Sequence, residues 1–315
     1  MKILYKYMEQ PFELFKKGYI RATQLSAIND PFEASYSEEG LKNLESEFED
    51  INLNGELSLK DYIENNKNKI GIISFSESKD NLLMWAHYAK EHKGLVAGFI
   101  FPPREWKYSK FFEHLFLLPT PPSTGCDDKN NFFNGEIKPV IYRKQQRYKI
   151  DGFDFDYSNI SDEGADRILF EIFLQKSEEW IYEKEHRIVL RLEQADKVYV
   201  NDIKKIKNKK LLANIIESKC CKKKFDDDKE YHEVNLSKIA EKSKRMVFAK
   251  ALAELSMNPK NIYLFKLASN SIYNCIFGIK CKYNKRNCAN NANKINSFKV
   301  SRVKKNNENY ILDFS

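Results

Sequence analysis

The chain has 315 residues, 42% of them hydrophobic and 31% charged, with a formal net charge of +8. That apolar share excludes a disordered polar chain, and the length suits one large core or two modest ones. No apolar run approaches the ~20 residues of a membrane span, and Met1-Lys2-Ile3-Leu4-Tyr5 leads into a strand pattern instead of a signal peptide. A cytoplasmic protein without membrane contact is therefore expected.

In chain order, Ile3 to Tyr7 reads as a strand, followed by an amphipathic turn around Phe12, Leu14 and Phe15, with Gly18 as its stop and Tyr19 to Thr23 as a second strand. Asn29-Asp30-Pro31 marks a turn. Residues 36–66 are polar, acidic and helix-prone, the pattern of a helical insertion or a lid. Ile70 to Ser76 is a buried strand. Asp80 stands where an N-cap would open a helix carrying Leu82, Leu83, Trp85 and Tyr88 and ending near Gly94. Leu95 to Phe101 is the next strand, and Pro102-Pro103 must leave the sheet.

Pro119 to Glu136 is too long for a simple connection. Val140 to Arg143 returns as a strand, Asp162 to Gln175 is a helix, and Glu185 to Leu192 is a strand. After a lysine-rich stretch, Ile239 to Leu255 is a helix, and Asn261 to Leu267 and Ser271 to Ile279 are strands. Phe298 to Val303 and Tyr310 to Phe314 close a terminal hairpin. Strands and helices do not alternate as βαβ units. The expected class is α+β, one domain over 1–315 with a central mixed, mainly antiparallel sheet and flanking helices.

Charge divides the chain. Residues 196–315 hold 27 Lys and Arg against 12 Asp and Glu, a balance of +15, whereas residues 1–195 stand at −7. Such a basic C-terminal part attracts nucleic acid or another phosphate-bearing partner; its competing reading is a set of solvated lysine faces. Six cysteines, with no CxxC pair, suit a reducing compartment. Cys220 and Cys221 with His232 are the nearest approach to a soft-metal set, but no second pair stands at zinc spacing, so no structural metal is expected.

Chemistry concentrates in three short clusters: Asn29-Asp30-Pro31-Phe32-Glu33, the run Asn81 to Tyr88 with Trp85, His87 and Tyr88, and Lys176 to Leu190, which holds Trp180, Tyr182, Glu183, Glu185 and Arg187. Each mixes polar or charged side chains with aromatics. Together with Leu4-Tyr5-Lys6-Tyr7, Ser74-Phe75-Ser76 and Lys93-Gly94, these blocks resemble the bacterial family catalogued as domain of unknown function 2971.

A second likeness is to toxin-like ADP-ribosyltransferases, which carry a cation or histidine on an early strand, Ser-x-Ser on a middle strand and Glu-x-Glu on a late strand. The matching positions are Lys6 or Arg21, then Ser74 and Ser76, then Glu183 and Glu185; Lys6 departs from the arginine or histidine of that group. The resemblance implies an ADP-ribosyltransferase-like fold, NAD as substrate, and a role as a toxin or phage-defence effector. Glu185 would then stabilise the oxocarbenium-like ribose and Glu183, taken as its neighbour on a strand face, would orient or deprotonate the acceptor. Lys6 or Arg21 would hold the pyrophosphate with Tyr7 beside it, Ser74 or Ser76 the ribose, and Trp85 or Tyr88 would stack on nicotinamide.

Plainer readings compete. Glu183, Lys184, Glu185 and Arg187 would also suit an exposed cross-strand ion-pair ladder, His87 a core histidine, and Asp30 and Glu33 a turn cap. Two other functional classes stay open: a metal-dependent nuclease built on Asp30, Glu33, Glu183 and Glu185 with Lys176 or Lys184, and a non-catalytic nucleotide-binding sensor.

Overall fold

Alternation along the middle strands decides the layers. In Ile70–Ser76, Ile73 and Phe75 enter one hydrophobic cluster, while Ile70 and Ile72 enter another. In Glu185–Arg191, Ile188 and Leu190 face the first cluster and Val189 the second. A sheet buried on both faces follows, the two-residue alternation of each strand serving two cores at once.

The computed structural model describes residues 2–53, 58–101, 111–116, 131–145, 160–226, 229–269, 271–288 and 298–314. Most of the long connection expected over Pro119 to Glu136, and Pro102-Pro103, lie outside these. The strands in chain order are β1 (Lys2–Met8), β2 (Tyr19–Gln24), β3 (Ile51–Asn52), β4 (Ile70–Ser76), β5 (Leu95–Phe101), β6 (Ile137–Pro139), β7 (Ile141–Arg143), β8 (Ile160–Ser161), β9 (Gln175–Ser177), β10 (Glu185–Arg191) and β11 (Lys197–Val200). The rest are β12 (Cys221–Asp226), β13 (Lys229–Asn235), β14 (Ile262–Lys266), β15 (Ile272–Phe277), β16 (Lys299–Lys305) and β17 (Leu312–Phe314). The helices are α1 (Glu38–Glu45), α2 (Leu59–Lys67), α3 (Leu82–Tyr88), α4 (Asp162–Ile172), α5 (Lys209–Ile216), α6 (Lys242–Ala253) and α7 (Lys285–Cys288).

Thirteen of the described strands form one sheet in the order β12-β13-β11-β14-β2-β4-β1-β5-β15-β16-β17, with β10 on β4 and β6 on β10. All its pairings are antiparallel except β15 with β16. This is the α+β architecture with a mixed, mainly antiparallel sheet that the sequence pattern predicts. Helices flank it: α6 buries Phe248 and Leu252 in the first cluster, and α1, α2 and α4 bury Leu41, Ile63, Ile168 and Leu169 in the second. The helices α1 and α2 of the expected helical insertion thus form, with α4, a helical layer over β4 and β10. A third cluster seats Met84 and Trp85 of α3 against Tyr7, Val96 and Ile276.

The sheet branches at β4. One edge of β4 pairs with β10 along its whole length, from Glu185↔Ser76 to Arg191↔Ile70. Its other edge is shared: β2 meets it at Thr23↔Ile72 and Gln24↔Gly71, and β1 at the single pair Tyr5↔Ser76. Between these contacts β1 and β2 diverge. The left-handed Gly18 (φ 69°), which ends the π-helical turn Phe12–Lys16, lets the chain reverse from β1 into β2 across that gap.

Candidate functional site

A cavity of about 470 Å³ opens at the branch. β1 supplies Tyr5, Lys6 and Tyr7, β2 Thr23, and β4 Ser74, Phe75 and Ser76. The turn after β2 adds Asn29, Asp30, Pro31 and Glu33, α3 adds Met84, His87 and Tyr88, and the segment from β9 to β10 adds Lys176, Trp180, Glu183, Glu185 and Arg187. All three clusters singled out in the sequence therefore share one wall-to-wall space with Lys6 and the two serines.

Its chemistry is a closed chain of buried charge. Arg187, 1% exposed, donates through Nη1 to Glu33 Oε1 at 2.5 Å and through Nη2 to Glu33 Oε2 at 2.9 Å. The same guanidinium donates to Glu185 through Nε at 2.8 Å and Nη2 at 3.1 Å. Lys176 Nζ continues to Glu185 Oε2 at 3.1 Å and Glu183 Oε2 at 2.6 Å, and the Tyr88 hydroxyl donates to Glu183 Oε1 at 2.6 Å. Bidentate, desolvated pairs of this kind fix side-chain positions far more firmly than surface pairs.

The two glutamates differ in acidity. Burial pushes the Glu185 carboxyl up, but Arg187, Lys176 and hydrogen bonds from Arg187 and Ser74 overcome this and hold it down to about 2. For Glu183 burial wins, and its carboxyl stays above the usual range in spite of Lys176 and Tyr88. Such a split gives neighbouring carboxyls distinct acid–base roles. Lys6 contrasts with both: among the described residues it forms no ion pair, and its amine donates only to the Ser74 carbonyl, at 3.3 Å. Burial lowers its pKa to about 8, against the attraction of Glu185 and with help from the like charge of Arg21.

Local sequence explains how the side chains arrive. Asn81, not Asp80, caps α3: its Oδ1 accepts from the Leu83 and Met84 N–H groups, and its amide donates to the Tyr182 carbonyl, tying α3 to the glutamate segment. Asp30 Oδ1 accepts from the Phe32 N–H, an Asx turn that carries Glu33 inward. Glu183 is not on a strand. It ends the 3₁₀ turn Glu178–Glu183, and Lys184 in the left-handed conformation (φ 46°) swings the chain into β10, so the two carboxylates converge on Lys176 by a turn instead of a strand's two-residue repeat.

Several candidates sit elsewhere than the chemistry requires. Trp85 is 0% exposed, edge-on to Tyr7 with its indole N–H on the Lys79 carbonyl, so it supports α3 and faces no ligand. Arg21 is outside the cavity lining and reaches the Gln24 side chain and the Pro259 carbonyl. The Ser76 hydroxyl reaches the lining but is spent: it donates to the Glu183 carbonyl at 2.6 Å and accepts from the Ser78 N–H. Tyr7 donates to the Ser78 carbonyl. Of the charges weighed as an exposed ladder, Glu183, Glu185 and Arg187 are buried and only Lys184 is exposed, and His87, weighed as a core histidine, is exposed at the cavity mouth. Tyr5 and Trp180, which stand in the quoted sequence blocks without a role assigned to them, line the cavity together with Thr23; Tyr142, whose hydroxyl accepts from the Glu185 N–H at 2.8 Å, is legible in the sequence as a strand residue.

Glu33, Glu183 and Glu185 each face a cation instead of a common oxygen cage, and among the described residues no group of three or more His, Cys, Asp or Glu side chains is arranged to hold a metal. Cys220 Sγ meets the Ser218 hydroxyl at 2.9 Å. Among the described residues, no helix is long and apolar enough to cross a membrane.

Residues 84–188 match the model of a family described as protein of unknown function, DUF2971. The match covers 105 of the 315 residues and bears out the first resemblance over that segment; the blocks at Leu4 to Tyr7, Asn29 to Glu33 and Ser74 to Ser76 lie outside it. The DUF2971 segment runs from Met84 on α3 to Ile188 on β10, so it holds Tyr88, Lys176, Glu183, Glu185 and Arg187, while Lys6, Glu33 and Ser74 come from outside it. No curated protein and no solved structure matches the chain.

Proposed function

We propose that the cavity binds NAD and cleaves its nicotinamide glycosidic bond, in the manner of an ADP-ribosyltransferase-like enzyme. The observation that carries this reading is the convergence of Lys6, Ser74 and Glu185, from the neighbouring strands β1, β4 and β10, with Glu183 on one cavity. Its volume lies within the ~300–1,000 Å³ typical of small-ligand sites.

In that reaction the C–N bond breaks with its electron pair leaving on nicotinamide, and positive charge develops on the ribose. Three carboxylates, Glu33, Glu183 and Glu185, face two cations, Lys176 and Arg187, leaving an excess of one negative charge, and Lys6 is ion-paired to none of them among the described residues. A ligand phosphate taking up Lys6 would leave that excess to the ribose side, where it stabilises the developing cation. Glu185, held ionised, is the stabiliser. Glu183, with its raised pKa, receives the acceptor's proton as the new bond to ribose forms. Tyr88 is the aromatic at the mouth suited to nicotinamide.

Nicotinamide release from NAD by the purified protein tests this. Turnover is expected, and Glu185→Gln should lower it by about 10²-fold or more while circular dichroism stays native. Glu183→Gln, which keeps a hydrogen-bonding side chain beside Lys176, should lower transfer more than NAD binding. NAD binding without release in the wild type would make the cavity a sensor; neither binding nor release would end the NAD reading.

A further inference from the structure

We infer that the corner of the sheet formed by β12, α5 and the turn between β11 and α5 binds the backbone of single-stranded nucleic acid. Over residues 203–225 nine lysines are exposed: Lys204, Lys205, Lys207, Lys209, Lys210, Lys219, Lys222, Lys223 and Lys224. The same stretch holds one acidic residue, Glu217, so it carries +8, as much as the formal net charge of the whole chain. In the sequence Asp226 to Asp228 follow at once and bound the patch on that side.

The fold gathers these lysines. β12 is the outer strand of the sheet, α5 packs against it, and Lys204 and Lys223 lie close enough to act together on His232, which pairs with Lys223 across the β12–β13 ladder. Only Lys223 has an ion-pair partner among the described residues, Glu230 at 2.7 Å, and that pair is exposed. Edge lysines do keep sheets from pairing with one another, but that role leaves the six lysines of α5 and of the turns on either side of it without a purpose.

The residue types select the partner. Every cation in the stretch is a lysine, a point charge suited to phosphate contact and poor at the forked reading of base edges. Phe225 is 66% exposed at the end of this run, with Lys223 Nζ 5.4 Å from its ring centre. An exposed ring among lysines is a stacking platform for an unpaired base, which a duplex does not offer. An anionic membrane fits less well, because the apolar side of α5 is turned to the core, with Ile215 buried.

The test is fluorescence anisotropy of a labelled single-stranded oligonucleotide of roughly 20 nucleotides with the full chain, beside the matching duplex and vesicles containing an anionic phospholipid. If about four phosphates are neutralised, raising salt from about 50 to about 200 mM should weaken single-strand binding roughly fiftyfold. The triple change Lys222→Glu, Lys223→Glu, Lys224→Glu should lower affinity at least about tenfold, and Phe225→Ala should weaken the single strand about fivefold with no effect on duplex. Absence of binding at low salt, wild-type affinity in the triple variant, or equal affinity for single strand, duplex and vesicles would overturn the proposal. NAD turnover plays no part in the readout.

Discussion

The two charged regions of this sheet handle charge in opposite ways. Around β10, charges leave water and every one of Glu33, Arg187, Glu185, Lys176 and Glu183 is matched at hydrogen-bond distance. At β12 and α5 the lysines stay in water, and Lys223 alone has a partner among the described residues. Burial forces pairing, and pairing fixes geometry; exposure leaves a diffuse field with no fixed geometry. One region can therefore orient a small ligand atom by atom, and the other can attract a polyanion along its length.

The comparison breaks hardest at Arg187. Arg187→Met removes the group that joins Glu33 to Glu185, leaving the buried Glu33 carboxylate without its cation and Glu185 with Lys176 alone, which should cost about 3–5 kcal/mol of folding free energy. Urea unfolding measures it. A loss below about 1 kcal/mol would mean that water reaches the network and that the cavity is not held by it.

Much of this network was legible before any fold was known, because its members are local in sequence: Asp30 with Glu33, and Lys176 through Arg187. The strands β1, β4, β5, β10, β14 and β15 were also legible, since their apolar runs are long and bounded by turn residues. What stayed hidden had physical causes. The β11 to β13 region reads as a basic stretch because β12 is an edge strand with three lysines among its six residues and so lacks the apolar alternation that marks a strand. Glu183 was assigned to a strand because nothing in Glu-Lys-Glu announces a left-handed lysine. Trp85 looked like a ligand platform because one helical turn places Trp85 and Tyr88 close in sequence, and only the packing of α3 on Val96 and Ile276 decides which of them is buried.

A smaller effect of opposite sign is expected at Lys6, the cavity's cation without an ion-pair partner among the described residues. Its folded pKa of about 8 lies below the ordinary 10.5, so the folded state binds fewer protons than the unfolded chain in that interval. Stability should rise as pH goes from about 8 to 10.5 and be lost again as it falls back through 8. Lys6→Met should remove that rise and, near neutral pH, stabilise the protein by about 1 kcal/mol, since a desolvated cation is replaced by an apolar chain of similar length. Unfolding midpoints at neutral and alkaline pH check both parts. A destabilised Lys6→Met protein would mean that the amine already neutralises the network and is not held in reserve for a phosphate.

The smallest effect separates the two regions most sharply. Reversing Lys222, Lys223 and Lys224 to glutamate together should move the unfolding free energy by no more than about 0.5 kcal/mol, because exposed side chains keep their hydration in both states. The one ion pair lost among the described residues, Lys223 with Glu230, has both side chains about half exposed, at 53% and 44%, and such pairs contribute little in salt. Urea unfolding of this variant beside the Arg187→Met protein sets three reversed charges against one neutralised charge. If the three cost more than the one, the lysine corner is part of the folded scaffold, and its field was never free for a partner.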